Sequence, residues 1–559
     1  MPAARRARCA VPRRGADMPP ARPRCSAAPL ALALALALAA APRPANAIAD
    51  GAGGASDADV GEFEAIAAAF EVVPAPAPAP AGACVTTEAE LRAAAELGGS
   101  HCVEGLVAVS GEQTAVDRDL ELYSASGVAG RDGFTFVGAS AKRLLLVAGG
   151  ADPVSLRLEG LSISGFAGAV SAGTFSASGD SADAFAPGAD VSVGALAPVY
   201  VELLNCTISE NDGGTDAFAN TNSAVFASGQ NGEASVFISG CTFTNSTGAQ
   251  GAGITAVWFA DVTVEDSVFE ALTTDSSGGA VYVSVGANLS VAHSTFRNCS
   301  ASPDFGSFGG ALSIIGGTSD LIDVVLVDTS FESNSAGPPD GLSFGGAIDS
   351  DAPLNTVNLA LIGCTFDNNT ASAGGAISHG AGTMLNVTDC VFTSNAAQQN
   401  GGAIYSQGPL FAIGSSFFNN TAPLVFGGGA LLFTSTGTQG VGQQVRSCSF
   451  TNNTSPGGSG SAIAMAGGNL NVSISDSTFT SNAAGGPFGA VALVNQLFLQ
   501  EASSIQVLDS SFDGNTAATA DATAVFAAGV GVNACGSGND YANDPVPQTT
   551  IPDPLPICT

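Results

Sequence analysis

Positive charge is nearly missing from this sequence: 16 Lys and Arg stand against 49 Asp and Glu in 559 residues, and half of the 16 lie before position 44. Setting residues 1–47 aside leaves 8 basic side chains against 48 acidic ones, a net charge of about −40. No phosphate-neutralising patch can be drawn from that balance, which excludes nucleic acid as a partner. Charge of either sign is only 12% of the chain, so the exterior has to be built from Ser, Thr, Asn, Gly and Asp. No apolar run reaches the ~20 residues that span a bilayer, which excludes a transmembrane helix. The Cys never pair at metal-ligand spacing, which argues against zinc.

What the sequence does contain is a cassette, clearest in LNVTDCVFTSNAAQQNGGAIYS from Leu385 to Ser406. Its Phe recurs at Phe243, Phe269, Phe296, Phe331, Phe366, Phe392, Phe417, Phe450, Phe479 and Phe512, with Ile208 in the same slot one repeat earlier, at intervals of 25 to 35 residues. Repeats of that length mark stacked supersecondary units and one elongated body rather than several globular domains.

Five residues before the slot every row is apolar, from Leu203 through Leu361 to Val507, and seven before it all but Gln443 are. That period of two is the inward face of a strand. Three before the slot stand residues that tolerate tight corners, such as Asn205, Gly240, Asp266, Gly363 and Asp389, with His293 as one of them. Two before it every row has Cys, Ser or Thr, which faces inward with the Phe on a second strand. Asn334, Asn369, Asn395, Asn420, Asn453, Asn482 and Asn515, three after the slot, suit a left-handed second corner and could bond along their own column. A third strand opens with Gly-Gly-Ala and a branched residue, at Gly278, Gly309, Gly345, Gly374, Gly401 and Gly428; Gly admits positive φ there and Ala a close approach of coils. Three strands and three corners per repeat make an all-β, single-stranded parallel β-helix of about thirteen coils, of order 60 Å long at ~4.8 Å per coil.

The flanks read in order. Residues 1–47 have a targeting pattern: seven Arg from Arg5 to Arg24, an unbroken Leu/Ala run from Leu30 to Ala41, and Ala45-Asn46-Ala47 as a small-residue cleavage site. Export to the cell surface or the medium is the expectation, with a plastid lumen as the alternative address. Residues 48–83 are a Pro/Ala-rich spacer ending in PAPAPAPA, and 84–105 an N-terminal cap whose Thr87 and Glu90 form a capping-box pair. The β-helix takes 106–526, and 527–559 a far cap or tail. Cys84 with Cys102, and Cys535 with Cys558, are candidate disulfides that would staple the two caps. Ten N-x-S/T acceptors, at Asn205, Asn245, Asn288, Asn298, Asn368, Asn386, Asn419, Asn452, Asn453 and Asn471, fit a glycosylated surface.

Phe-x-x-Asn in seven rows and Gly-Gly-Ala with Ile, Leu or Val in six resemble the repeats of the bacterial polymorphic outer membrane proteins, and more broadly the pectin-lyase-like right-handed β-helix superfamily. The resemblance covers residues 156–526. It implies a right-handed helix and an adhesive, surface-displayed role, and carries over no catalytic residue. Nothing in the chain reads as the translocating barrel of the first family, so a simple secreted product is expected. Lyases on the second fold use clustered carboxylates holding Ca²⁺ with a basic residue to take a proton, and related hydrolases use paired Asp.

Beyond Arg157 the only basic residues are Arg297 and Arg446, too far apart to converge, while Lys142, Arg143 and Arg157 make a small basic spot near the first coils. The strongest acid–base candidates are Asp349, Asp351 and His379, read as Ser350 lying over His379 with both Asp beside it on one outer face. Solvated side chains on an acidic rod are the plainer account of the three. The Asp corner column offers oxygen ligands for Ca²⁺ but is interrupted by Gly, Ser and His, and no other cofactor is suggested. Thr242 with Thr244, and Thr478 with Thr480, begin an ice-binding grid that Glu270, Arg297, Glu332, Asp367 and Asp513 break. The functional expectation is a surface or matrix binding protein for extracellular glycans or surface proteins, the alternative a polysaccharide lyase or glycoside hydrolase.

Overall fold

The structure, a computed structural model, describes residues 84–541 apart from internal segments, of which the longest are 125–134, 174–196, 213–222 and 495–502. These residues fall in one unit, Asp59–Thr559. The expected targeting segment, the spacer and Cys558 lie outside the described residues.

Helix α1, Glu88–Leu97, starts where the sequence places it. Thr87 Oγ1 accepts from the Glu90 N–H at 3.3 Å, and Glu90 Oε2 accepts from the Thr87 N–H at 3.0 Å. It buries Leu91, Ala94 and Ala95 over the open end of the core, and the Cys84–Cys102 disulfide ties it to the first strand, Gly99–Val103. That strand already pairs in the first long sheet, so the cap and the first coil overlap.

Three long sheets of 15, 14 and 14 parallel strands follow, each strand pairing with the equivalent strand of the coils before and after. Val357–Ile362, Thr365–Asp367 and Ile377–His379 are one coil's contributions to the first, second and third sheets. The last strand of the first sheet, Val532–Ser537, carries the solenoid past the expected boundary at 526, and Tyr541 stacks on Phe512 with ring centres 5.4 Å apart. An eight-stranded sheet, including Thr273–Ser277, Ser343–Phe344 and Thr370–Ala373, occupies the stretch between Phe and Gly-Gly-Ala where loops were expected.

In-register pairing puts like on like. The ten slot Phe, all buried, stack with centroids 4.6–4.9 Å apart and planes within 2–7° of parallel. Each ring buried in this way is worth about 2 kcal/mol in apolar area, and each stacked pair adds about 1 kcal/mol.

All three corners use left-handed backbone, which fixes their residue choice. Every residue three before the slot, from Asn205 to Asp509, has φ between 45° and 65°. Where the next coil places Gly in that column, at Gly240, Gly363, Gly414 and Gly538, a Cβ would collide with the Oδ1 of the Asn or Asp in the coil before, so the Asp and Gly are one steric unit. At the second corner the left-handed residue is two after the slot, as in Asn368, Ser394 and Asn419 with φ 54–57°, and not the Asn at three after as expected. That Asn is buried instead and is spent on a ladder. From Asn334 to Asn482 each Nδ2 donates to the Oδ1 of the next Asn at 2.9–3.1 Å and to the carbonyl of the preceding coil's Phe, and each Oδ1 also accepts the backbone N–H of the coil before. At the third corner the first Gly of Gly-Gly-Ala supplies φ of 57–66°. The close approach expected of Ala belongs to the second Gly, whose Cβ would meet the next coil's carbonyl, while Ala lies in the core.

Asn420→Ala should lower stability by about 3 kcal/mol, because the Asn395 N–H and the Phe392 carbonyl lose their partner with no water to replace it. Chemical denaturation followed by far-UV circular dichroism checks it; an unchanged midpoint would contradict the ladder's role.

Candidate functional site

Strand Ile348–Asp351 lies in the third sheet against Leu312–Ile315 on one side and Ile377–His379 on the other, with Ser350 opposite His379 as expected. The two Asp do not share a face with the imidazole, however. Ile377 points into the core, and a strand's alternation then sends His379 inward too, where it is 0% exposed. The ring sits in a polar seam inside the core, Nδ1 2.7 Å from Thr383 Oγ1 and Nε2 2.8 Å from Ser406 Oγ. Burial pushes its pKa down to about 3, so it is neutral. A neutral ring donates to one hydroxyl and accepts from the other, so only one of Thr383 and Ser406 can also donate to its carbonyl, Gly380 or Gly408. Gln443, the one polar residue in its column, completes the seam: its Nε2 donates to the Gly408 carbonyl at 2.8 Å and its Oε1 accepts from the Leu410 N–H at 2.8 Å.

Asp349 faces outward yet is only 2% exposed. The eight-stranded outer sheet folds over this face: Phe344 packs 5.8 Å from Phe308 and 6.5 Å from Tyr405, two coils below Asp349 in the same column. One Asp349 oxygen has no hydrogen-bond partner; the carboxyl bonds to Ser378, and its pKa is raised by burial and then by Asp351. Asp351 is exposed, with its carboxylate lying over Gly380, where a Cβ would collide with it, and its pKa is raised by desolvation. His379 and Asp349 are thus separated by the thickness of the sheet, and the expected trio cannot act on one substrate atom.

The other candidates resolve one by one. His293 is a corner residue with φ 48°, its nitrogens 3.9 and 3.8 Å from Asp266 and Asp328 in the coils before and after. Among the described residues no three His, Cys, Asp or Glu group as metal ligands, the corner Asp included. Arg157 is held by Glu121, Glu159 and Glu202, Arg297 by Glu270 at 2.8 Å and Arg446 by Asp476 at 3.9 Å; the side chains of Lys142 and Arg143 lie outside the described residues.

Cys206, Cys241, Cys299, Cys364, Cys390 and Cys448 are buried free thiols, so the stacked pairs 206/241 and 364/390 are not bridged. Burial pushes Cys299 up to about 12 and Cys448 up to about 11. Cys535 is disulfide-bonded to a partner outside the described residues, where the expected Cys558 lies.

Two of the ten glycosylation acceptors are corrected. Asn453 is 0% exposed in the asparagine ladder with its amide bonded to Phe417 and Asn482, and the Asn386 Nδ2 is covered.

Sequence reading missed the ladder on the outer face of the first sheet. Asn288 Nδ2 donates to Asp261 Oδ1 at 2.8 Å, the Asp323 N–H to Asn288 Oδ1 at 3.1 Å, and Asn358 Nδ2 to Asp323 Oδ1 at 2.9 Å. The signal was present in the column eight before the slot, where Asp and Asn alternate over four successive coils.

The two buried groups bias stability in opposite directions. His379, with its folded pKa below the ordinary 6.5, contributes stability present above pH 6.5 and lost as pH falls toward 3, about 2 kcal/mol of it by pH 5. Asp349, with its pKa raised, contributes stability present at acid pH and lost as pH rises through its folded value. His379→Gln should therefore flatten the loss of stability between pH 6.5 and 4, and Asp349→Asn should raise stability at pH 7 relative to pH 4; denaturation midpoints across pH check both.

Residues 202–422 match a family model described as the right handed beta helix region. No curated protein matches the chain. Among solved structures it is similar to the catalytic domain of a GH87 alpha-1,3-glucanase in complex with tetrasaccharides, with 11% identity and a TM-score of 0.33 over 84% of this chain and 70% of that one. It is also similar to tailspike protein 3 of bacteriophage CBA120, with 10% identity and a TM-score of 0.28 over 80% of this chain and 58% of that one. The repeat, the three parallel sheets and the family match agree: the chain is a right-handed parallel β-helix.

Proposed function

We propose that this is an exported, acidic binding protein of the cell surface or matrix, with glycans or partner proteins as ligands. The outer ladder Asp261–Asn288–Asp323–Asn358 carries the reading. It fixes carboxylates and amides at the ~4.8 Å coil spacing, a repeat suited to the hydroxyls and N–H groups of an extended glycan or polypeptide. The Cys84–Cys102 disulfide supports an oxidising destination. The adhesive role implied by the resemblance to polymorphic outer membrane protein repeats belongs to the same proposal.

A second reading, a carbohydrate-active enzyme, has one observation in its favour. Asp349 and Asp351 lie two residues apart on one strand face, and desolvation raises both, the buried Asp349 well above the usual carboxylate range and the exposed Asp351 less, a difference of the kind that separates acid from base. It ranks second because Asp349 is covered.

Incubation with immobilised polyuronates and neutral glycans, following both retention and new chain ends, separates the two. Retention without cleavage, falling at least tenfold in Asp323→Ala with Asn358→Ala, is the expected result. Cleavage abolished by Asp351→Ala would reverse the ranking.

A further inference from the structure

We propose that the outward face of the first sheet docks a cationic amphipathic helix of a partner protein. The inference rests on the binding-protein reading and names one partner class for it. Over four coils this face changes character. Val325 and Ala360 are opposite one another, as are Val327 and Ile362; two coils on from Ala360 and Ile362 come Phe411 and Ile413, and Ala292 extends the stripe by one coil the other way. The same columns are polar beyond it, with Thr263 and Glu265 at one end and Gln444 and Arg446 at the other, Arg446 held by Asp476. On a rod whose exterior is mostly Ser, Thr, Asn and Asp, an apolar patch marks an interaction surface, here built on Val325, Val327, Ile362, Phe411 and Ile413, with Ala292 and Ala360 themselves buried and with Asn386 and Thr388 breaking the two columns one coil before Phe411 and Ile413.

Acidic side chains border the stripe on both long edges. Asp323 lies on one side, and Asp328 and Asp389 project from the corner on the other, all exposed. The acceptor nitrogen of Asn386, inside the stripe, is covered, so no glycan occupies the centre.

Charge selects the occupant. A second copy would bring its own strongly negative charge, −33 over the whole chain and about −40 without residues 1–47, and the chain's Phe63, Ile66 and Phe70 are interleaved with Glu62, Glu64 and Glu71. Geometry selects its shape. The stripe runs along the rod, across the strands, for four coil intervals or ~19 Å. A helix advances ~5.4 Å per turn, so about thirteen residues would span the patch, with apolar turns over the Val325, Ile362 and Phe411 coils. Its cations would meet Asp323 on one side and Asp328 and Asp389 on the other, an attraction that salt screens.

The test titrates the full chain into a fluorescein-labelled fourteen-residue Lys/Leu peptide with Leu at i, i+3, i+4 and i+7, read by anisotropy, beside a scrambled peptide of the same composition. Binding of the amphipathic peptide at least tenfold tighter than the scrambled one is expected. So are a Kd raised at least tenfold by Ile362→Asp, and a weaker salt dependence in Asp323→Asn with Asp389→Asn. Equal affinity for the two peptides, or no effect of Ile362→Asp, overturns the proposal. So does self-association in sedimentation that Ile362→Asp abolishes, which would assign the face to a second copy. If Ile362→Asp does not fold, Ile362→Thr, suited to a strand, takes its place under the same criteria. Glycan retention measured beside it separates the readings: an unsubstituted chain that retains glycan but binds the two peptides equally overturns the helix and leaves the binding protein.

Discussion

In a stack of parallel coils every side chain meets its counterpart twice, once in the coil before and once in the coil after, at one fixed spacing. A residue type persists in a column only if it is a good neighbour to itself. Phe satisfies that condition by stacking, as the run from Phe243 to Phe512 shows. Asn satisfies it by being donor and acceptor at once, so that Asn369, Asn395 and Asn420 close each other's hydrogen bonds without water. Ser and Cys do the same two before the slot, where the Cys390 N–H reaches Ser415 Oγ and the Cys448 N–H reaches Ser477 Oγ, both in the following coil. A lone charge cannot meet the condition: Arg and Lys repeat in no inward column, and the acids collect at corners and on outer faces.

The exceptions show how exact the constraint is. Gln443 breaks an apolar column only because Gly408 and Leu410 offer it partners, and His379 enters the core only as a neutral ring between two hydroxyls. Asp349 has one hydroxyl for company and an oxygen with none, so the cover of the outer sheet is obtained at the expense of a carboxyl that resists ionising.

The architecture was legible in the sequence because self-compatibility leaves periodic traces. The Phe slot, the apolar pairs, the Gly-Gly-Ala corner and the capped helix at Thr87 all lie where their spacing puts them. The candidate site was read less well. Placing Ser350 over His379 used the register, but not the alternation from Ile377 that turns the imidazole inward. The burial of Asp349 depends on segments of irregular length between Phe and Gly-Gly-Ala, and those pair as an outer sheet only once the coils beneath set their spacing. The left-handed residue was set one position late because Asn suits both tasks; the structure gives the turn to Asn368 and the ladder to Asn369.

The ladders make neighbouring coils interchangeable at their joints. Asn334 hands its proton to an Oδ1 that Asn395 could offer as well as Asn369 does, and Phe331 would rest on Phe392 as it rests on Phe366. Excising the segment between equivalent points of two adjacent coils therefore joins like to like, and duplicating it inserts a turn that finds all its neighbours waiting. The cross-section of such a molecule is held fixed by chemistry, while its length is left for descent to adjust in whole turns.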